Sequence, residues 1–454
     1  MIAKYFLPSF ILLILITSCG SKKIVEDTRP DWIKTREISN VDYLGIGKSS
    51  KVKSPYNYIQ LAKKKALADI SSEISVNISS NSILSTVETT EGFAEIYSSL
   101  IRSKAKKDLE GYELITTYQT DTDYWCYYRL NKAKYRRLRE KKKQIAISKS
   151  LDFYDRSKEV EKSNDLKTAI ILNIKAIGAI KDYWSEKNEI ERNSSKMLLG
   201  NELISNQINL ISSVKITPIH SRIKAIRGKS ISNDLLSFVV EDLNNNKQQG
   251  LPVLFDFSEK RLSNNNKVSN EEGKISYAFK KIKSSKTDVY FRCKLDISSL
   301  IDEASDDYML HNLLDEIKEP DGAIKISLKN PIIYIHSDEK IFGEKQQAII
   351  SRVLKNYFKE KGLEVSTKRK NSDFEINIYS DTQKASRNYD GVYTSNLVLF
   401  VEMKSGGVVE YSTTISEIHG RGSSYFRASE NAYSKAKDDI RIKVGNQIYR
   451  NIFD

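Results

Sequence analysis

Small and apolar residues recur at every fourth position in two stretches far apart in the chain. Tyr58, Ala62, Ala66, Ile70 and Ile74 make one stripe, and Ala428, Ala432, Ala436, Ile440, Val444 and Ile448 make the other. A period of four places each set on one face of a helix, and small residues there let the helix lie close against a sheet or another helix. Each stripe follows a Gly-x-Gly segment, Gly45-Ile46-Gly47 in the first case and Gly420-Arg421-Gly422 in the second. Aligning Asp69-Ile70 on Asp439-Ile440 superposes Ala62 and Ala66 on Ala432 and Ala436. Gly47-Lys48-Ser49 invites comparison with a phosphate-binding loop, but Asp42 stands where that motif requires a glycine, and the lysine is absent from the second copy. The pattern therefore predicts one packing unit used twice.

Elsewhere the periodicity changes character. Strand-like runs at 113–118 and 124–130 precede Asn131, a candidate cap for a helix over 132–143. From 145 to 211 the period is helical, and Ser163-Asn164-Asp165 breaks it into a hairpin resembling a single tetratricopeptide unit, a spacer or brace. Short alternating runs at 214–217, 235–240, 253–257, 274–279 and 289–295 indicate a β-sandwich. The last stretch predicts a strand pair at 323–328 and 332–336, a helix over 344–361 ended by Gly362, strands at 363–367, 374–379, 392–403 and 408–415, and a helix over 425–449. Ser405-Gly406-Gly407 reads as a hairpin turn. The fold class is multidomain α+β: a small α+β domain over 29–143, a helical hairpin over 144–212, a β-sandwich over 213–322 and a C-terminal α+β domain over 323–454.

Composition adds location to this plan. With 454 residues and 39% hydrophobic content the chain has enough apolar material for about three cores, which excludes wholesale disorder. The one long apolar run, residues 6–16 behind Lys4, is about half the ~20 residues of a spanning helix, so a polytopic membrane protein is excluded and an export signal is indicated. Ile16-Thr17-Ser18-Cys19 resembles the bacterial lipobox. That resemblance implies a signal peptide over 1–18, diacylglycerol and an N-acyl chain on Cys19 with no other cofactor, and a tether over 19–28. Multiple acyl chains hold a protein at a membrane where one does not. Gly20-Ser21-Lys22-Lys23 follows the cysteine, with Glu26 and Asp27 the first acids. By analogy with lipoprotein sorting this implies anchorage in outer-membrane lipid on the periplasmic face.

Three family resemblances accompany the plan. Pro30-x-Trp32, Tyr43-x-Gly45-Ile46-Gly47, Ala62-x3-Ala66-x2-Asp69-Ile70 and Val76-x-Ile78-x-Ser80 resemble the Lpp-twenty type of outer-membrane lipoprotein, which implies a small α+β domain on a lipid anchor and brings no catalytic residues. Phe238-Val239-Val240-Glu241-Asp242, Gly250-Leu251-Pro252-Val253-x-Phe255 and Glu272-Gly273-Lys274-Ile275 resemble bacterial Ig-like envelope modules, whose usual role is spacing or adhesion. The order of elements after residue 323 resembles the amino-terminal domain type of the translocation protein TolB, also found in lipoprotein activators of penicillin-binding proteins.

Candidate chemistry is sparse. Lys132, Lys134, Arg136, Arg137, Arg139, Lys141, Lys142 and Lys143 lie within twelve residues beside one acid, Glu140. They form either an anionic-surface binding site or a solvated helix face. The net charge of +14 would suit nucleic acid, but an exported protein does not meet it. His220, His311, His336 and His419 show no metal spacing, and no nucleophile motif is present, so neither a metal site nor catalytic residues are expected. Cys126 and Cys293 fall in different predicted domains, each inside an alternating strand, and are expected to stay unpaired. The reading is a non-enzymatic envelope binding or scaffold lipoprotein whose partner is another envelope protein or peptidoglycan. The alternatives are a cell-wall-active enzyme and an accessory lipoprotein of a secretion or peptidoglycan-synthesis complex.

Overall fold

An edge strand carries a row of unpaired backbone groups that something must cover, and this multidomain α+β chain covers two of them in the same way. The computed structural model describes residues 28–87, 92–192, 194–387 and 391–454, so the signal segment and Cys19 lie outside the described residues. Two compact units are formed, one from residues up to Val76 with Ser98–Lys141, the other from Asn77–Tyr97 with Lys142–Asp454. Among the described residues no helix is long and apolar enough to cross a membrane.

In the first unit β1 (Asp42–Ser50) is the edge of a three-stranded antiparallel sheet, paired with β3 (Asp123–Asn131), which pairs in turn with β2 (Glu113–Gln119). Helix α1 (Tyr58–Glu73) lies on β1. Glu73 accepts from the Leu44 N–H at 3.3 Å, Asp69 accepts from the Ile46 N–H at 3.1 Å, and Lys65 Nζ donates to the Lys48 carbonyl at 2.9 Å, so outward groups of the edge are satisfied by side chains. The helix comes this near because the strand has no side chains beneath it. A Cβ on Gly45 would stand 2.2 Å from the Ala66 carbonyl oxygen, and one on Gly47 would stand 1.9 Å from that of Ala62. Ala62, Ala66 and Ile70 are fully buried in the contact. Cys126 sits beneath it, buried and free, its thiol 3.7 Å from the Gly47 carbonyl and pushed up to about 11 by burial.

The expected first domain, 29–143, is interrupted. Residues 77–97, including the Ile78-x-Ser80 part of the family-like motif and the start of α2 (Phe93–Asp108), belong to the second unit. Ser79 and Leu84 donate to the Ser185 and Trp184 carbonyls at 2.8 and 3.3 Å, and Tyr97 stacks on Trp184 at 5.9 Å. Burial of Ile83, Phe93 and Tyr97 draws this excursion away. The helix expected at 132–143 is likewise longer: α3 (Lys132–Lys162) runs on, since no glycine or proline interrupts it. It ends where the pattern indicated, with Asn164 at φ 64° and the Asp165 side chain capping Thr168 at the start of α4 (Leu166–Ala179). A third helix, α5 (Leu199–Ser212), packs on α4 through a buried polar trio in which Asn173 donates to Gln207 and accepts from Asn206.

The next region is a sandwich of two sheets. β4 (Lys215–Pro218), β6 (Ser237–Glu241) and β9 (Lys274–Ser276) make one in the order β9-β6-β4. β5 (Arg222–Ile226), β7 (Pro252–Phe257), β8 (Asn266–Val268), β10 (Asp288–Leu295) and β11 (Asp321–Lys329) make the other in the order β8-β7-β10-β11-β5. Phe238 meets Phe255 and Phe291 across the gap at 6.1 and 5.9 Å. Cys293 is buried and free on β10. One expectation fails here. The run at 323–328, expected in the C-terminal domain, forms β11, which pairs antiparallel with β10 and parallel with β5 and carries the sandwich past residue 322. Alternation in Ile324, Ile326 and Leu328 marks a strand without naming its partner. Helices α6 (Ile297–Ala304) and α7 (Tyr308–Leu314), also unforeseen, intervene between β10 and β11.

β12 (Ile332–Ile341) opens the C-terminal sheet and pairs parallel with β13 (Phe374–Arg387), not with the preceding strand. β14 (Tyr393–Ser405) and β15 (Val408–Gly422) follow antiparallel, joined through Gly406 and Gly407, both at positive φ. The helix expected over 344–361 is the shorter α8 (Ile350–Glu360), because buried Glu339 accepts from the amides of Ile349, Ile350 and Ser351 and sets its start. The long last helix is α9 (Tyr425–Asp439), a π-helical turn over Ile440–Gly445, and α10 (Asn446–Phe453). On edge strand β15 the first arrangement recurs. A Cβ on Gly420 would lie 2.0 Å from the Ala428 carbonyl oxygen, Lys435 donates to the His419 carbonyl at 3.0 Å, and Asn431 donates to that of Arg421 at 2.7 Å. In the alignment that superposes Ala66 on Ala436, Lys435 coincides with Lys65.

The sandwich and C-terminal sheet are joined by a buried guanidinium. Arg227, 5% exposed, donates to the Ser284 and Lys286 carbonyls at 2.8 and 2.7 Å and to Asn330, and its plane lies over the Phe453 ring at 5.5 Å. Burial lowers its pKa from the ordinary arginine value.

Two outcomes follow. Gly47→Ala in a Cys19→Ser background should destabilise the first unit by ~1–3 kcal/mol, seen as Cys126 labelling by a thiol reagent at lower denaturant while Cys293 labelling is unmoved. Arg227→Met should cost ~2–4 kcal/mol by leaving its buried acceptors unpaired, measured by denaturant unfolding of the second unit.

Candidate functional site

The basic run resolves into separate environments. Lys132 donates to the Ser39 carbonyl at 2.7 Å and lies 3.6 Å from Glu73, Lys134 is 3.9 Å from Glu113, and Lys143 is buried, donating to Glu186 at 3.1 Å and the Lys187 carbonyl at 2.8 Å. Arg136, Arg137, Lys141 and Lys142 are exposed along α3 and Arg139 is half-buried. Lys132, Lys134 and Lys143 thus brace the fold. Lys48 of the apparent phosphate loop lies in β1, 3.1 Å from Asp123 and over the Trp125 ring. Cys19 lies outside the described residues.

A larger convergence of charge occurs where the sandwich meets the C-terminal sheet. Phe279 packs against Phe257 with ring centroids 4.9 Å apart and planes tilted by 53°, and Ile282 is fully buried with its N–H on the Lys229 carbonyl at 2.9 Å. Around those two anchors Lys280 is exposed, and half-buried Lys281 and Lys283 reach the Asn451 side chain and the Arg450 carbonyl at 2.9 and 3.4 Å. The turn after β7 adds Lys260 and Arg261, held by buried Leu262 and by Asn264 at φ 57°, and β8 adds Lys267. Together they line an open cleft of about 1100 Å³ whose one acid is Glu410 of β15. Glu410 is engaged by Lys281 at 2.6 Å.

Glu259, next to the cleft, does not neutralise it. Its carboxylate accepts from Ser284 at 2.8 Å, Lys286 at 3.0 Å and Ser258 at 3.1 Å. Burial opposes its ionisation, but these donors hold its pKa below the ordinary value. Lys283 shows the reverse condition. Burial first, then the ammonium groups of Lys281 and Lys260, press its pKa below the ordinary lysine value, against a smaller opposite pull from Asp454. Its charged form is therefore less favourable in the fold than in the open chain.

A second group was not foreseen. Ser298 and Asp302 on α6 flank His311 on α7, with Ser298 Oγ 3.4 Å from Nδ1 and Asp302 2.9 Å from Nε2. The residue types are those of a hydrolase triad, but the serine contact is long and the Asp302 side chain is 70% exposed, so water competes for the imidazole. The nearby Ser299 amide is engaged by Asp296 at 3.0 Å. Among the described residues no group of three or more His, Cys, Asp or Glu side chains is placed to hold a metal.

No protein-family model matches the chain, and no curated protein matches it. A crystal structure of a minor lipoprotein from Acinetobacter baumannii is similar over 27% of this chain and 89% of its own, at 15% identity and a TM-score of 0.18.

The lowered pKa of Lys283 gives a signed expectation. Its charge weakens folding below its lowered folded pKa, and the penalty fades as pH rises through that value to the ordinary lysine pKa. At pH 7, Lys283→Met should therefore raise the thermal midpoint, by no more than ~1 kcal/mol in stability for so solvated a group. At a pH above the ordinary lysine value the difference between variant and parent should vanish in a calorimetric scan.

Proposed function

We propose that the chain is a lipid-anchored outer-membrane lipoprotein, held on the periplasmic side through Cys19, that acts as a non-enzymatic binding or scaffold protein for another envelope component. The anchor rests on the charged start, the short apolar run and Ile16-Thr17-Ser18-Cys19. The binding role rests on the Arg227 junction, which joins two domains through backbone acceptors and a ring face, and on the cleft at their seam. A fixed platform with an unneutralised groove supports recognition better than turnover.

The cell-wall-active alternative has one observation in its favour, the Ser298, His311 and Asp302 group. Its long serine contact and exposed carboxylate weigh against it. Both readings are open to direct measurement. Cys19→Ser should move the protein from the membrane fraction to the soluble one, and normal processing with membrane retention would refute the anchor. The full chain in detergent should leave cell-wall material intact in a zymogram, whereas turnover that Ser298→Ala abolishes would make it a hydrolase.

A further inference from the structure

The seam cleft holds charge that its own walls do not balance. Lys260, Arg261, Lys267 and Lys280 have no carboxylate partner among the described residues, while Glu410 is committed to Lys281. Like charges crowded at one place are stabilised by a bound anion, and lysine ammoniums act there as mobile point charges. The volume, about 1100 Å³, exceeds what a single small anion fills and reaches the upper range of ligand clefts. Its remaining lining is rich in hydroxyl and amide groups, among them Asn233, Ser276 and Tyr277. Tyr277 is held by contact with Phe255 at 5.3 Å and Phe279 at 5.2 Å, so it is a fixed feature of the wall.

We propose that this cleft binds an anionic oligosaccharide, a glycan carrying phosphate or carboxylate groups, with the lysines taking the charges and the hydroxyl and amide groups taking the sugar hydroxyls. Charge alone would be met by any polyanion, and hydroxyl recognition alone by any glycan. The lining combines both along an open groove that admits an extended chain. This deepens the binding reading and rests on it, but it does not depend on the lipid anchor.

The test is calorimetric titration of the full chain in detergent with four probes: a phosphorylated mannan oligosaccharide, a polygalacturonate oligomer, a neutral dextran and inorganic tripolyphosphate. At least one anionic glycan should bind ~10-fold or more tighter than both the dextran and the tripolyphosphate, and the tighter of the two identifies the charged group. Equal affinity for tripolyphosphate would reduce the site to charge alone and overturn the proposal, as would equal affinity for dextran or no binding at all. The combined Lys260→Gln, Lys267→Gln and Lys280→Gln variant should lose ~10-fold or more, while Lys359→Gln, Lys368→Gln and Lys370→Gln, an equal charge change at exposed positions elsewhere, should stay within ~2-fold. Equal losses in the two variants would show unspecific attraction. Membrane fractionation of the cleft variant reads the anchor separately, so failure of glycan binding and failure of the lipoprotein reading give different results.

Discussion

The closest constraint in this protein is a helix backbone resting on a strand that has no side chains beneath it. At Gly45, Gly47 and Gly420 a single added carbon would fall about 2 Å from a helix carbonyl oxygen, well inside any tolerable separation. That proximity brings Asp69, Glu73 and Lys65 within reach of the outward amides and carbonyl of β1, and Lys435 and Asn431 within reach of β15. Glycine, alanine and polar capping groups therefore act together. Without the glycines the helix stands off, and without the caps the strand edge is an invitation to pairing with another chain.

In the second unit the corresponding role belongs to Arg227, a buried cation satisfied by neutral oxygen atoms and an aromatic face. Because carbonyl dipoles supply its counter-field, no acid has to be placed at the junction. The acids beside the lysines of the neighbouring segment are already engaged. Glu259 is spent on Ser258, Ser284 and Lys286, and Glu410 on Lys281, so the groove keeps an excess of positive charge.

Much of this was legible beforehand, and the failures have identifiable causes. The alanine stripes, the Asn164 break and the Gly406-Gly407 turn are local signals in which one residue type answers one backbone demand, and they were read at the right places. Partners are not local. Ile324, Ile326 and Leu328 announce a strand, but pairing with β5 is decided some hundred residues away. Segment 77–97 joins the second unit through Tyr97 and Trp184, which no spacing connects. For the site, a dense run of eight basic residues drew attention to α3, whereas the cleft is built from Lys260-Arg261, Lys267 and Lys280-Lys281-x-Lys283, short signals that only the fold assembles. The inward Phe279 and Ile282 between those lysines were the available clue.

The parallel pairing of β11 with β5 also has a bearing on time. Residues 222–226 precede by about a hundred positions residues 325–329, which must lie beside them. Until the later strand arrives, one margin of the sheet stays open and the Asn330 and Phe453 contacts of Arg227 do not yet exist. Closing so long a stretch of chain is slow compared with forming the α3–α4 hairpin. During that interval the open margin of the sandwich sheet is exposed to mispairing.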